Sequence, residues 1–376
     1  MVLVFFWSCG FNEKSEIQHP TPENLPTKNE QNTHVIDVEK KSEENVNQIE
    51  VIQKLENIKL VSQIGRLFGN PDETFGLIED IKIDSFNRIY ILDKTQQHIK
   101  VYKPNGDFIT TLGNKGQGPR EFEKANSMDT YKDSLLYVSN GYRIEVFNIS
   151  KNEIEFVETK SIKQSVRSLC VVDKKLFIHP IRLTEPDEII NEKDYKSMIY
   201  AYSINKFQES FLFGKSYISS NPFLLDRLST GSLSCNKATS TVMFSFEKFQ
   251  VLHGYSGENG DLEWQTRIDG LSLVRLTQFS NNGKIGLKNS QPDDIFDMKL
   301  KPISYDDRYN IVQIDRRTLD EVGYHIGSKI ITLVVDSKSG ESFKLDIDLP
   351  RILHIKNNLM VTVDEDRVIS KVYSLN

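Results

Sequence analysis

Between Glu79 and Gly113 the chain reads EDIKIDSFNRIYILDKTQQHIKVYKPNGDFITTLG. Hydrophobic positions come there in short runs of β-branched and aromatic residues: IKID, RIYILD, HIKVYK and DFITTL. Between them stand polar turn clusters, DSFN, DKTQ and PNG. Alternation over four to eight residues bounded by Asn, Asp and Gly predicts strands, and Asn105-Gly106 predicts a hairpin. No apolar spacing of three and four residues competes. The unit predicted is a meander of four antiparallel strands.

The unit recurs. LYVSNGYRIEVFN, within 126–154, lies over IYILDKTQQHIKVYK with a turn two residues shorter. A third copy runs through SLCVVDKKLFIHP and IYAYSINKFQESFLFG, split by the polar insertion 182–196. A fourth, weaker copy spans 241–268, and a fifth is expected within 271–349 among IGLKN, YNIVQID, KIITLVVDS and ESFKLDIDL. The C-terminal LMVTVDEDRVISKVY repeats the pattern but stops after three strands. A strand at 53–65, QKLENIKLVSQIG, supplies the missing fourth. Closing a ring this way leaves no long unpaired edge. The fold expected is all-β: a six-bladed β-propeller of four-stranded antiparallel blades, its last blade closed by an N-terminal strand.

IKIDSFNRIYILDKTQQHIKVYKPNGDFITTLGNKGQGPREF resembles an NHL-type repeat. It is similar more closely to the six-bladed, TolB-like propeller lipoproteins of Bacteroidetes, in which an "IG..G.GP.EF" stretch follows the first full blade. The likeness is specific over 78–150, looser to 268, and does not extend through 270–345. It implies a propeller in the cell envelope of a Gram-negative bacterium. The wider six-bladed group includes gluconolactonase-like and paraoxonase-like metal hydrolases as well as binding proteins, so fold alone does not choose a chemistry.

The N-terminus adds to this picture. MVLVFFWSCG carries an apolar run, Val2 to Trp7, then Ser8 and Cys9, and resembles the lipobox of bacterial lipoproteins, where the cysteine receives lipid. Residues 1–9 are then the remnant of a signal peptide and Cys9 the lipidation site. From 10 to 48 the chain is rich in Glu, Lys, Asn, Gln and Thr and too poor in apolar residues to form a core, so a flexible polar tether is expected, with the propeller over 49–376. The net charge of −6 without a basic block argues against nucleic acid or a general anionic-surface binder. Three cysteines are too few for a disulfide framework and lack metal spacing.

Candidate chemistry is sparse. LGNKGQGPREF at 112–122 has the look of a phosphate loop. Yet Pro119 has no N–H to give, no Ser or Thr stands where a P-loop needs it, and no helix follows. The three glycines are read instead as positive-φ turn positions, with Phe122 packed between blades. No histidine pair has zinc spacing and no Gly-x-Ser-x-Gly elbow occurs. Asp84, Asp129 and Asp173 repeat at blade spacing, but each is read as a turn cap closing a first strand. A lactonase-like calcium site would instead gather oxygens from several inner strands. The blade alignment puts Arg120, Arg143, Arg167, Arg182 and Arg227 on one face, with Asp93, His98, Tyr142 and Asp364 nearby. Guanidinium groups converging on a channel mouth suit an anionic ligand. The reading is a non-enzymatic, monomeric envelope lipoprotein. It takes a small anionic ligand or an envelope partner protein, needs no cofactor, and touches the membrane only through its lipid anchor. The alternatives are a calcium-dependent lactonase or esterase and a structural subunit of an outer-membrane complex.

Overall fold

The computed structural model describes residues 33–41, 46–132, 134–184, 195–219, 221–273, 275–281, 284–290, 294–321 and 324–375. The chain folds into a six-bladed β-propeller. The first blade takes Ile78–Ile83, Ile89–Asp93, His98–Tyr102 and Phe108–Leu112 in order from the axis outward. Burial follows that order: every residue of the second strand is buried, whereas Phe108–Leu112 is largely exposed. Middle strands are covered on both faces by neighbouring blades, so they read as continuous apolar runs. The second and third blades span 125–161 and 166–215 in the same arrangement.

The fourth blade begins earlier than the repeat predicts, at Gly231–Asn236, and continues through Thr241–Phe246, Val251–Ser256 and Leu262–Asp269. Gly254 of this blade lies so close beneath the Trp264 indole that a Cβ would stand 1.9 Å from the ring. In the fifth blade the inner strand is broken into Ile295–Lys299 and Ile303–Ser304, both paired to the long strand Tyr309–Leu319. IGLKN, expected in this blade, instead belongs to a separate hairpin, Arg275–Asn281 with Lys284–Ser290. The insertion 182–196 falls mostly outside the described residues.

Closure is as expected: Lys59–Ile64 pairs antiparallel with Ser370–Ser374 as the outermost strand of the sixth blade. Gln53–Glu56, read as part of that strand, is instead the last turn of a helix, Val46–Glu56. Val51 and Leu55 of the helix bury against Ile303, Tyr305 and Tyr309. The expected tether differs further, because Thr33–Asp37 forms a fifth strand, parallel to the outer strand of the fourth blade. Ile36 and Val38 explain it: they are buried with Trp264, Ile268 and Leu271, so this stretch does pack a core.

From the first blade to the fourth, neighbouring inner strands share a pattern of polar ties. The third residue of each inner strand accepts from the next inner strand: Asp80 from the Met128 amide (2.9 Å), Ser127 from Leu169 (3.2 Å) and Ser168 from Leu233 (3.0 Å). Two positions on, Asp129 accepts from the Val171 amide at 2.8 Å, and the equivalent Cys170 is covalently joined to Cys235. This disulfide is a departure from the sequence reading. Its halves lie 65 residues apart and meet only because consecutive blades stack their inner strands.

Candidate functional site

The motif 112–122 is a turn. Gly113 alone of its glycines has positive φ, at 74°, and its Cα faces the Phe122 ring, which is fully buried against Phe147. Gly116 and Gly118 do not take positive φ. They are small because the Glu121 carboxylate folds over them, accepting from the Gly118 amide at 2.7 Å.

Antiparallel blades place two kinds of connection on each end of the disc. One end carries the first-to-second and third-to-fourth turns; the other carries the second-to-third turns and the crossovers between blades. A cavity of about 590 Å3 opens at the first end, in the central channel. All six blades contribute to its wall, through Lys82, Asp129, Cys170, Cys235, Lys301 and His354 in order. Lys237, Lys356 and Lys54, the last from the helix Val46–Glu56, stand on the same wall. Apolar surface comes from Leu169, Leu233, Ile303 and Leu353.

Behind this wall the buried Asp80 is held between two of its ammonium groups, Lys301 at 2.6 Å and Lys82 at 3.3 Å, while Lys301 also donates to Ser127 Oγ at 3.2 Å. Burial pushes the Asp80 carboxyl upward, but the two lysines more than offset it and keep the group ionised below the usual carboxylate range. Lys301 is pushed below the ordinary lysine value, first by burial and then by Lys82, with Asp80 opposing. His354 is held well below its ordinary value by burial and by Lys82, Lys356, Lys237 and Lys301, so at neutral pH its imidazole is uncharged. Six cationic side chains line the wall against three carboxylates, Asp129, Asp306 and Asp307. With Asp80 counted against them the balance is still positive. Such a site attracts anions and repels cations.

Among the described residues no three His, Cys, Asp or Glu side chains converge as a metal-holding group. Of the three repeating aspartates, Asp84 is a turn cap, accepting from the Phe86 and Arg88 amides at 2.9 Å. Asp173 lies in a two-residue turn. Asp129 departs from the expectation: it is the fifth residue of Ala125–Tyr131, inside the inner strand, and reaches the cavity. The 45-residue spacing had matched it to the wrong position of the blade.

The nine candidate ligand residues lie at the opposite end from this cavity, and none lines it. Asp93 and Asp364 hold turns: Asp93 accepts from the Gly76, Thr95 and Gln96 amides, and Asp364 from Val368 and Ile369. Arg143 donates to the Gln117 carbonyl at 2.8 Å and lies beside Glu145. Arg167 pairs with Glu247 at 3.4 Å. His98 is half-buried, with Nε2 unpartnered, and burial followed by Lys100 lowers its pKa. Tyr142, Arg182 and Arg227 are exposed. Arg120 is exposed at φ 68° beside a rim groove of about 380 Å3 between the first two blades. The lysines of the cavity escaped the sequence reading. Their one signal was a charged residue inside an otherwise buried strand, as Lys82 is in IEDIKI.

A family model described as a 6-bladed beta-propeller matches residues 25–222. An exported protein of Bacteroides fragilis superposes with a TM-score of 0.54 at 11% identity, covering 92% of this chain and 99% of its own. A protein of Bacteroides vulgatus does so with a TM-score of 0.54 at 10% identity, covering 85% and 99%. At such identity the likeness speaks to fold alone. No curated protein matches.

Proposed function

The chain belongs to this 6-bladed beta-propeller family, and from that premise we propose that it is a non-enzymatic binding protein of the cell envelope, holding a small anionic ligand in its central cavity. The observation that carries the reading is the gathering of Lys82, Lys237, Lys301 and Lys356, from four blades, around one cavity with the uncharged His354. Ammonium groups are point charges that suit a carboxylate or phosphate, and the apolar wall suits the ligand's body. No cofactor is required. A calcium-dependent hydrolase would need six to eight oxygens around its ion. Here Asp80 is engaged by lysines, Asp129 by the Thr130 and Val171 amides, and Asp306 by the Arg308 and Tyr309 amides.

The envelope location is supported by the disulfide Cys170–Cys235, since such bonds persist in oxidising compartments. Cys9 is then the one cysteine outside the bridge, free to carry lipid. Labelling with a fatty-acid analogue should mark the native protein and not the Cys9→Ala form.

Calorimetric titration with inorganic phosphate, citrate and glucuronate tests the ligand reading. Binding should appear with or without chelator. Lys237→Gln or Lys356→Gln should weaken it by roughly 10- to 150-fold, as expected for one charge-assisted bond. Binding that disappears with chelator and ignores both substitutions would instead bring the calcium hydrolase forward. Binding lost only in Arg120→Ala or Arg143→Ala would move the site to the other end of the disc.

A further inference from the structure

The end of the disc opposite the cavity has its own chemistry. Leu67, Phe68, Tyr142, Phe223, Tyr324 and Ile326 are each at least 60% exposed, Phe68 reaching 89%, and all six belong to that end. No other large apolar side chain among the described residues exceeds 54%. Folded proteins scatter single apolar residues over their surface, but a confinement of the most exposed ones to one face marks a contact surface.

Their spacing says what the contact is. Leu67 and Phe68 lie in the crossover between the sixth and first blades, Tyr142 in the second, Phe223 in the crossover between third and fourth, and Tyr324 and Ile326 in the fifth. In a ring of six blades these are four points about a quarter-turn apart. A protein partner needs one contiguous, complementary patch. Separate tips at the corners of a disc fit a flat surface that yields locally around each of them. Arg66, Arg120, Arg182 and Arg227 are exposed in the same set of loops, where guanidinium groups reach lipid phosphates.

We propose that this face rests on a lipid bilayer, its apolar tips in the headgroup region, so that the cavity opens away from the membrane. The contact is separate from any acyl chain on Cys9. It gives the arginine-bearing face a role that the cavity does not.

The test uses depth-resolved fluorescence on the full chain with Trp7→Phe, which leaves the buried Trp264 as background. Phe68→Trp and Tyr324→Trp should shift to the blue and be quenched by brominated phosphatidylcholine vesicles, more strongly when phosphatidylglycerol is added. Phe86→Trp, on the cavity end, and Phe108→Trp, on the rim, should stay unquenched. Phe68→Ser combined with Phe223→Ser and Ile326→Ser should lower partition by at least about tenfold for each side chain, given what burying one is worth. All three positions are exposed, so the fold should survive. Quenching that is equal at Phe86→Trp, or absent at Phe68→Trp, overturns the proposal. So does self-association in solution that Phe68→Ser abolishes, because the face would then be covered by a second copy.

Discussion

Replacing Cys170 and Cys235 together by alanine cuts the covalent tie between the third and fourth blades while leaving both positions apolar. The bridge closes a separation of 65 residues. In the chain-entropy description its removal frees about 14 cal/mol/K in the unfolded chain, or about 4 kcal/mol at room temperature. With a guanidinium m value of about 6 kcal/mol/M, the unfolding midpoint should fall by about 0.7 M. Trp264 reports the event from inside the fourth blade, where it is buried and its indole N–H donates to the Ser337 carbonyl at 2.9 Å. Reducing the wild type should shift its midpoint toward that of the double variant and leave the variant unmoved. Thiol titration of the unreduced, unfolded chain, prepared without lipid on Cys9, should find one free group, Cys9. Three free thiols, or a variant that unfolds at the wild-type midpoint, would refute the reasoning.

Further outcomes are expected. Ile36→Ala should cost about 2–5 kcal/mol in thermal or denaturant unfolding if Thr33–Asp37 is bound as a strand, and nothing if the segment is a free tether. Deleting Lys59–Ile64 should leave Ser370–Ser374 as an open edge and abolish cooperative unfolding. Gly254→Ala should prevent the Trp264 side chain from seating, read as lost near-ultraviolet dichroism. Burial holds Lys299 down to about 7, so the folded state binds fewer protons than the unfolded between there and the ordinary lysine value; stability should rise with pH over that window, and Lys299→Met should flatten the slope. His179 and His253, pushed down to about 3 by burial, should make the fold lose stability as pH falls below about 6.5, with a shallower loss in His179→Phe.

Strand periodicity is a local property, and it was legible wherever a blade kept its repeat. IKID, RIYILD and HIKVYK lie between covered faces and DFITTL forms the largely exposed outer strand, and each is bounded by its own turn, so their order could be read along the chain. The missing fourth strand of the last blade even pointed to a partner near residue 60, because a ring has no other way to hide that edge. What failed to show locally depends on contacts between distant residues. Residues 33–38 look like tether because their two buried residues, Ile36 and Val38, find their core only beside Trp264. Asp80 and Lys301 are separated by 221 positions and meet across the channel. Cys170 and Cys235 carry no spacing signal, since their meeting depends on how blade upon blade is stacked. The alignment put the ligand at the arginine-bearing mouth, because it identifies the residues of each turn but not which mouth stays open, and the cavity lies at the other. The tertiary structure decided it, because a cavity is the volume left over when six inner strands converge, and no single strand encodes that remainder.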